Sequence, residues 1–143
     1  MLVVGLTALA AVTACNVHDN TVNIDATLDF KATVAVDQLK PGDSVAVTMN
    51  TTGVVLVDPN TQPTSVEAAT ASYFKIYLDD TNGTPLLITA QASVQVKIPA
   101  NTPPGKHHLI CRLHKHDGTP TSQEQDISIT VVASATVATG DAG

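Results

Sequence analysis

The chain has 143 residues, a net charge of −6, and only 14% charged residues. That length supports one domain with a core that needs no disulfide, and the acidic balance excludes broad nucleic-acid binding, which requires a basic footprint. There is no tryptophan and little aromatic content, while Thr, Val and Ala abound and favour strands over polar-faced helices.

Residues 2–14, LVVGLTALAAVTA, are apolar and end at Cys15. The run falls short of the roughly 20 residues a bilayer-spanning helix needs, and it suits the apolar region and cleavage site of an export signal. VTAC, from Val12 to Cys15, resembles the lipobox of bacterial lipoproteins. That resemblance implies cleavage before Cys15, lipidation of its thiol and a membrane anchor. The basic residue expected near the start is missing, and Asn16, in place of aspartate, points to the outer membrane. The alternative is a buried N-terminal strand or helix with an ordinary cysteine.

NVHDNT, residues 16–21, reads as a polar tether. Apolar and polar residues then alternate from Val22 to Asp37, a strand period longer than an ordinary strand, which predicts a bend that carries the chain between two sheets. Leu39 to Asp43, LKPGD, is a turn, and Val45, Val47 and Met49 resume the alternation. A short apolar edge at Val54–Val57 precedes an irregular stretch in which SVEAATA supplies one helical turn crossing between sheets. Phe74, Ile76 and Leu78 alternate with Tyr73, Lys75 and Tyr77, and DDTNG makes a hairpin turn in which Asp79 and Asp80 cap the backbone. Val94, Val96 and Ile98 mark another strand. The stretch HDGTPTSQEQ reads as a loop, DISITVV as the closing strand, and residues 134–143 as a polar tail.

Seven or eight short strands with almost no helix predict an antiparallel β-sandwich, with a small closed barrel as the alternative. The expected organisation is a signal over 1–14, a lipidated cysteine and tether over 15–21, a sandwich over 22–133 and a tail over 134–143. YFKIYLDDTNGTPLL, VQVKIPANTPPGKHHLICRLHKHDGTP and DISITVV resemble the C-terminal hairpins of small secreted bacterial immunoglobulin-like domains. Pro104, Gly105 and His107 match that family's PG turn and the histidine opening the next strand. Where some relatives carry histidines, this chain has Tyr73, Phe74 and Lys75. The resemblance implies an immunoglobulin-like fold and export, with no agreed enzymatic activity.

Chemistry concentrates between Pro103 and Pro120, which holds four of the five histidines. On a strand, Leu109, Cys111 and Leu113 share an apolar face, while His108, Ile110, Arg112, His114 and His116 share the other. His114 and His116, with Asp117, could reach one Cu(II), Ni(II) or Zn(II) ion, and His107 or His108 could serve separately. His108 is about 20 Å along the strand from His114 and cannot share an ion with it unless the strand bends. Cys111 falls on the opposite face, where it reads as a small core hydrophobe. Lys106, Arg112 and Lys115 make a local positive field that suits an anionic group or acidic partner. No nucleophile elbow, zinc-protease helix or phosphate loop is present, and DGTP reads as a turn. The expectation is a membrane-tethered, non-enzymatic binding or envelope accessory module without a cofactor, anchored by its lipid and facing an envelope protein or glycan. The alternative is an envelope metal-binding protein using residues 107–116.

Overall fold

The computed structural model describes residues 29–134, with nine strand segments. The expected signal, the lipidation site Cys15, the tether with residues 22–28, and residues 135–143 of the tail lie outside the described residues. The strands are β1 (Asp29–Val34), β2 (Gln38–Leu39), β3 (Ser44–Thr52), β4 (Val55–Leu56), β5 (Ala71–Leu78), β6 (Leu87–Thr89), β7 (Ser93–Lys97), β8 (Gly105–Lys115) and β9 (Pro120–Val131).

They form two sheets. One has three antiparallel strands in the order β1-β3-β7, and the other runs β2-β9-β8-β5-β4, with β6 also paired to β5. The second and fifth main strands (β3 and β7) lie together, facing a sheet in which the last strand pairs with the one before it and that one with β5. This is the strand arrangement of immunoglobulin-like and fibronectin type III sandwiches. The long alternating segment does change sheets: β1 pairs with β3, and three residues after its end β2 joins β9 in parallel.

Alternation explains the core. Val45, Val47 and Met49 from β3 and Val96 from β7 meet Phe74, Ile76, Leu109, Cys111, Leu113, Ile129 and Val131 from the facing sheet, all at 1% exposure or less. Burying such side chains supplies the main driving force, at about 25 cal/mol per Å² of apolar surface.

Two expectations are corrected. The chain changes sheets again between β3 and β4, at Gly53, whose φ of 84° suits a residue without a Cβ. The segment after β4 does not cross: SVEAATA returns the chain to the same sheet. Its turn is helical, with Ala68 N donating to Thr64 O and Ala71 N to Glu67 O, and Glu67 Oε2 accepts from both Thr64 N and Thr64 Oγ1 in a capping arrangement.

The second correction concerns TSQEQ, which reads as loop but begins β9, since that strand starts at Pro120. Its polar residues alternate too. Thr121 is buried, its hydroxyl donating to Leu113 O at 3.0 Å, while Ser122, Glu124 and Asp126 are exposed. The period is that of a strand, but its inward positions carry hydroxyl and amide groups that reveal no apolar pattern.

Candidate functional site

Strand β8 lies between β5 and β9, and Leu109, Ile110, Cys111, Arg112 and His114 have a cross-strand neighbour on both sides. Leu109, Cys111 and Leu113 face the core at 0% exposure, as their spacing requires. Burial pushes the Cys111 thiol up to about 12, so it stays protonated and unreactive at neutral pH.

The four imidazoles go to four different places. His107, in line with Leu109 and Cys111, caps one end of the core. Its Nδ1 donates to Asp79 Oδ2 at 2.7 Å and its Nε2 to Pro103 O at 2.8 Å. Both partners only accept, so both ring nitrogens carry protons and the ring is an imidazolium. The bond to Asp79, reinforced by that to Pro103, raises the histidine's pKa. Burial pushes the Asp79 carboxyl upward, but the bonds from the His107 ring and from His108 N, 2.8 Å away, outweigh it and hold the group below its ordinary value. Asp79 itself sits at φ 61°, a left-handed conformation that these bonds fix.

His108 points to solvent and donates from Nδ1 to Asp126 Oδ1 on β9, at 2.6 Å. His114 is on the same face of β8, as alternation requires, but its position there is closed to solvent, against the expectation of an ion-binding imidazole. It is only 5% exposed, stacked on Tyr73 with ring centroids 5.7 Å apart. The turn that follows covers it. His114 Nδ1 donates to Gly118 O at 3.1 Å, and Gly118, at φ 91°, brings that turn back against the Tyr73 hydroxyl. The other nitrogen, Nε2, is buried without a hydrogen-bond partner among the described residues, and burial lowers the histidine's pKa, so the ring is neutral. His116 follows the strand. Its Nε2 donates to Thr61 O at 2.8 Å and lies 3.2 Å from Asp58 O, fastening the 58–61 loop to the end of β8.

A metal ligand must offer an unprotonated nitrogen that an ion can reach. His107 has none, and that of His114 is sealed. Asp117 Oδ1 accepts from Thr119 N at 2.8 Å and closes the DGTP turn. Among the described residues no group of three or more His, Cys, Asp or Glu side chains is placed to hold a metal ion.

Of the three cations, Arg112 has a carboxylate beside it. Its Nε is 3.3 Å from Glu124 Oε2, directly across the strand pair, while Lys106 is exposed and Lys115 half-buried. The Asn101–His116 stretch contains no acid, but β9 supplies Glu124 and Asp126 and the β5–β6 turn supplies Asp79. A linear reading misses these three because each is far away in sequence. Asp80 is a turn cap, as expected, accepting from Asn82 N at 2.8 Å.

A cleft of about 520 Å³ opens between β6 and β7. Leu87, Ile88, Gln91, Val94, Gln95 and Asp58 line it. Sequence reasoning passed over these residues because they carry no histidine, cysteine or paired acid.

No protein-family model matches the chain, and no curated protein does either. Solved structures that resemble it include the Clostridium thermocellum CbhA fibronectin(III)-like modules, with 11% identity and a TM-score of 0.45, covering 75% of this chain and all of that one. Another is the extracellular domain of a protein described as a hybrid two-component system from B. thetaiotaomicron. Its identity is 15% and its TM-score 0.40, and the match covers 71% of this chain but 12% of that one. The chain is an all-β domain that distantly resembles fibronectin III and immunoglobulin-like modules. No helix of the described residues is long and apolar enough to cross a membrane.

Proposed function

We propose that this chain is an exported, lipid-tethered accessory module of the bacterial envelope: a non-enzymatic β-sandwich that binds a partner and is anchored in the outer membrane through Cys15. The observation that carries the binding reading is the fate of the histidine strand. Three of the four imidazoles of β8 and its turn fasten loops or turns, through bonds to Asp79 and Pro103, to Gly118 and to the 58–61 loop, and the fourth, His108, bonds Asp126 on the neighbouring strand. Residues that would have supplied chemistry supply rigidity instead, and the only thiol of the described residues is buried. The VTAC sequence and the apolar run before it support the anchor.

The anchor is tested by expressing the full chain in a Gram-negative host and measuring the mass of its N-terminal peptide. The reading requires a peptide that begins at acylated Cys15 and a protein that fractionates with the outer membrane, both abolished in Cys15→Ala. An unprocessed N-terminus in the cytosol overturns it.

A further inference from the structure

Along one side of the sandwich, among the described residues, both sheets end in a strand with an open edge: β7 closes the three-stranded sheet, and β6 pairs only with β5. The ladder fixes which backbone groups of β7 face that side. Met49 N donates to Ala92 O at 2.7 Å and Ile98 N to Asp43 O at 2.8 Å, at the two ends of the β3–β7 pairing. In an antiparallel pair the bonded residues alternate, so Ala92, Val94, Val96 and Ile98 turn their groups to β3. The N–H and C=O groups of Ser93, Gln95 and Lys97 therefore face outward. The usual defences of an edge are sparse here, since β7 has no proline and one charge, Lys97 at its last position.

The cleft adjoins this edge. Val94, whose side chain turns toward the core, forms one wall, and Leu87 and the 47% exposed Ile88 of β6 form the other. Asp58 stands at the rim on the loop that His116 fastens. Asn60 bonds Asp58 Oδ1 through its N–H at 2.8 Å and its side-chain amide at 3.1 Å, and among the described residues no hydrogen bond reaches Oδ2. Among the described residues no Lys, Arg or His lines the cleft, and Asp58 is the one charged residue of its lining.

We propose that β7 takes up an extended peptide segment of a partner protein as an added strand. Main-chain bonds to Ser93, Gln95 and Lys97 hold it, and every second side chain enters the cleft. The side chains that fit are apolar ones, against Val94, Leu87 and Ile88, with a lysine or arginine directed to Asp58. A net charge of −6 favours the same basic partner. This assignment rests on the reading of the chain as a binding module and gives that module its site.

The test is to pan phage-displayed random heptapeptides on the full chain and to measure the enriched peptides against Gln95→Pro and Asp58→Asn. Proline at 95 removes an N–H that points away from β3, so the β3–β7 ladder stays intact and the thermal unfolding midpoint should hardly move. Expected are peptides with apolar residues at every second position and a basic residue. Their affinity should fall at least tenfold on Gln95→Pro and several-fold on Asp58→Asn. Should Gln95→Pro fail to fold, amide exchange decides on the unaltered chain: the Gln95 and Lys97 N–H groups must slow when peptide is added. No enrichment, equal binding to Gln95→Pro, or unchanged exchange at those two amides overturns the proposal. So does dimerisation of the chain alone that Gln95→Pro abolishes, which would assign the edge to a second copy. None of these results touches the state of Cys15, so the site can fail while the tethered module stands.

Discussion

The His107 ring and the Asp79 carboxylate meet at 2.7 Å and tie the start of β8 to the β5–β6 turn, far away in sequence. Asp79 directly follows β5 and His107 is near the start of β8, and the opposite ring nitrogen holds Pro103, in the loop entering β8. Immunoglobulin-like domains often use a tyrosine hydroxyl to bond back to the backbone near this corner. Here a charged imidazole does the same and also grips the neighbouring turn.

That arrangement gives stability a defined pH window. His107 has a raised folded pKa, so its contribution is complete below its unfolded value of about 6.5 and is lost as pH rises through the folded value. Asp79 has a lowered folded pKa, so its contribution is complete above its unfolded value of about 3.9 and is lost as pH falls through the folded one. The pair acts in full between about pH 4 and 6.5. Urea denaturation of the native chain and of Asp79→Asn should show the native advantage shrinking from pH 6 to pH 9. An advantage that does not change over that range contradicts the assignment.

His114 works in the opposite direction. Its folded pKa is lowered by burial, with Lys75 and Arg112 adding to the effect, so the unfolded chain takes up the proton first as pH falls. Stability drops below about pH 6.5 for this reason. His114→Phe keeps a ring against Tyr73 and loses the bond to Gly118, a cost of about 0.5–1.5 kcal/mol at pH 7.5. The gap between variant and native chain should narrow or reverse by pH 5 in denaturant titrations. A gap that widens on acidification is incompatible with a neutral buried ring.

Cys111 should be silent in the folded protein. With its thiol pushed up to about 12, an aromatic disulfide reagent at pH 8 should modify it only at the rate of unfolding, followed by mass spectrometry of the labelled peptide. Cys111→Ser should destabilise more than Cys111→Ala, because it leaves a hydroxyl without a partner at a cost of about 1–3 kcal/mol. Rapid labelling of the native chain would show that the apolar face of β8 opens.

The parts of this fold that were legible in sequence are those where one residue's neighbours settle its place. Val45, Val47, Met49, Leu109, Cys111 and Leu113 are core because the period of a strand puts them there, and the turn at LKPGD follows from its proline and glycine. The sheet change between Val34 and Gln38 was legible in the excessive length of the alternating run. What was not legible depends on residues far off in the chain. Nothing near His114 shows that Tyr73 and the Gly118 turn enclose it, and nothing near Arg112 shows Glu124 across the strand pair. Alternation gave the correct face for His114 and could not give its exposure, which belongs to the layer packed outside the sheet.

The central claim is that His107, His114 and His116 serve as fasteners of loops and turns. It is tested most directly by titrating the full chain with Cu(II), Ni(II) and Zn(II) in a calorimeter beside His114→Ala/His116→Ala. Native chain and variant should give the same weak heats, with the variant less stable to denaturant because Gly118 and the 58–61 loop have lost their bonds. Micromolar or tighter binding by the native chain that disappears in the variant would contradict the claim and make residues 114–117 a metal site.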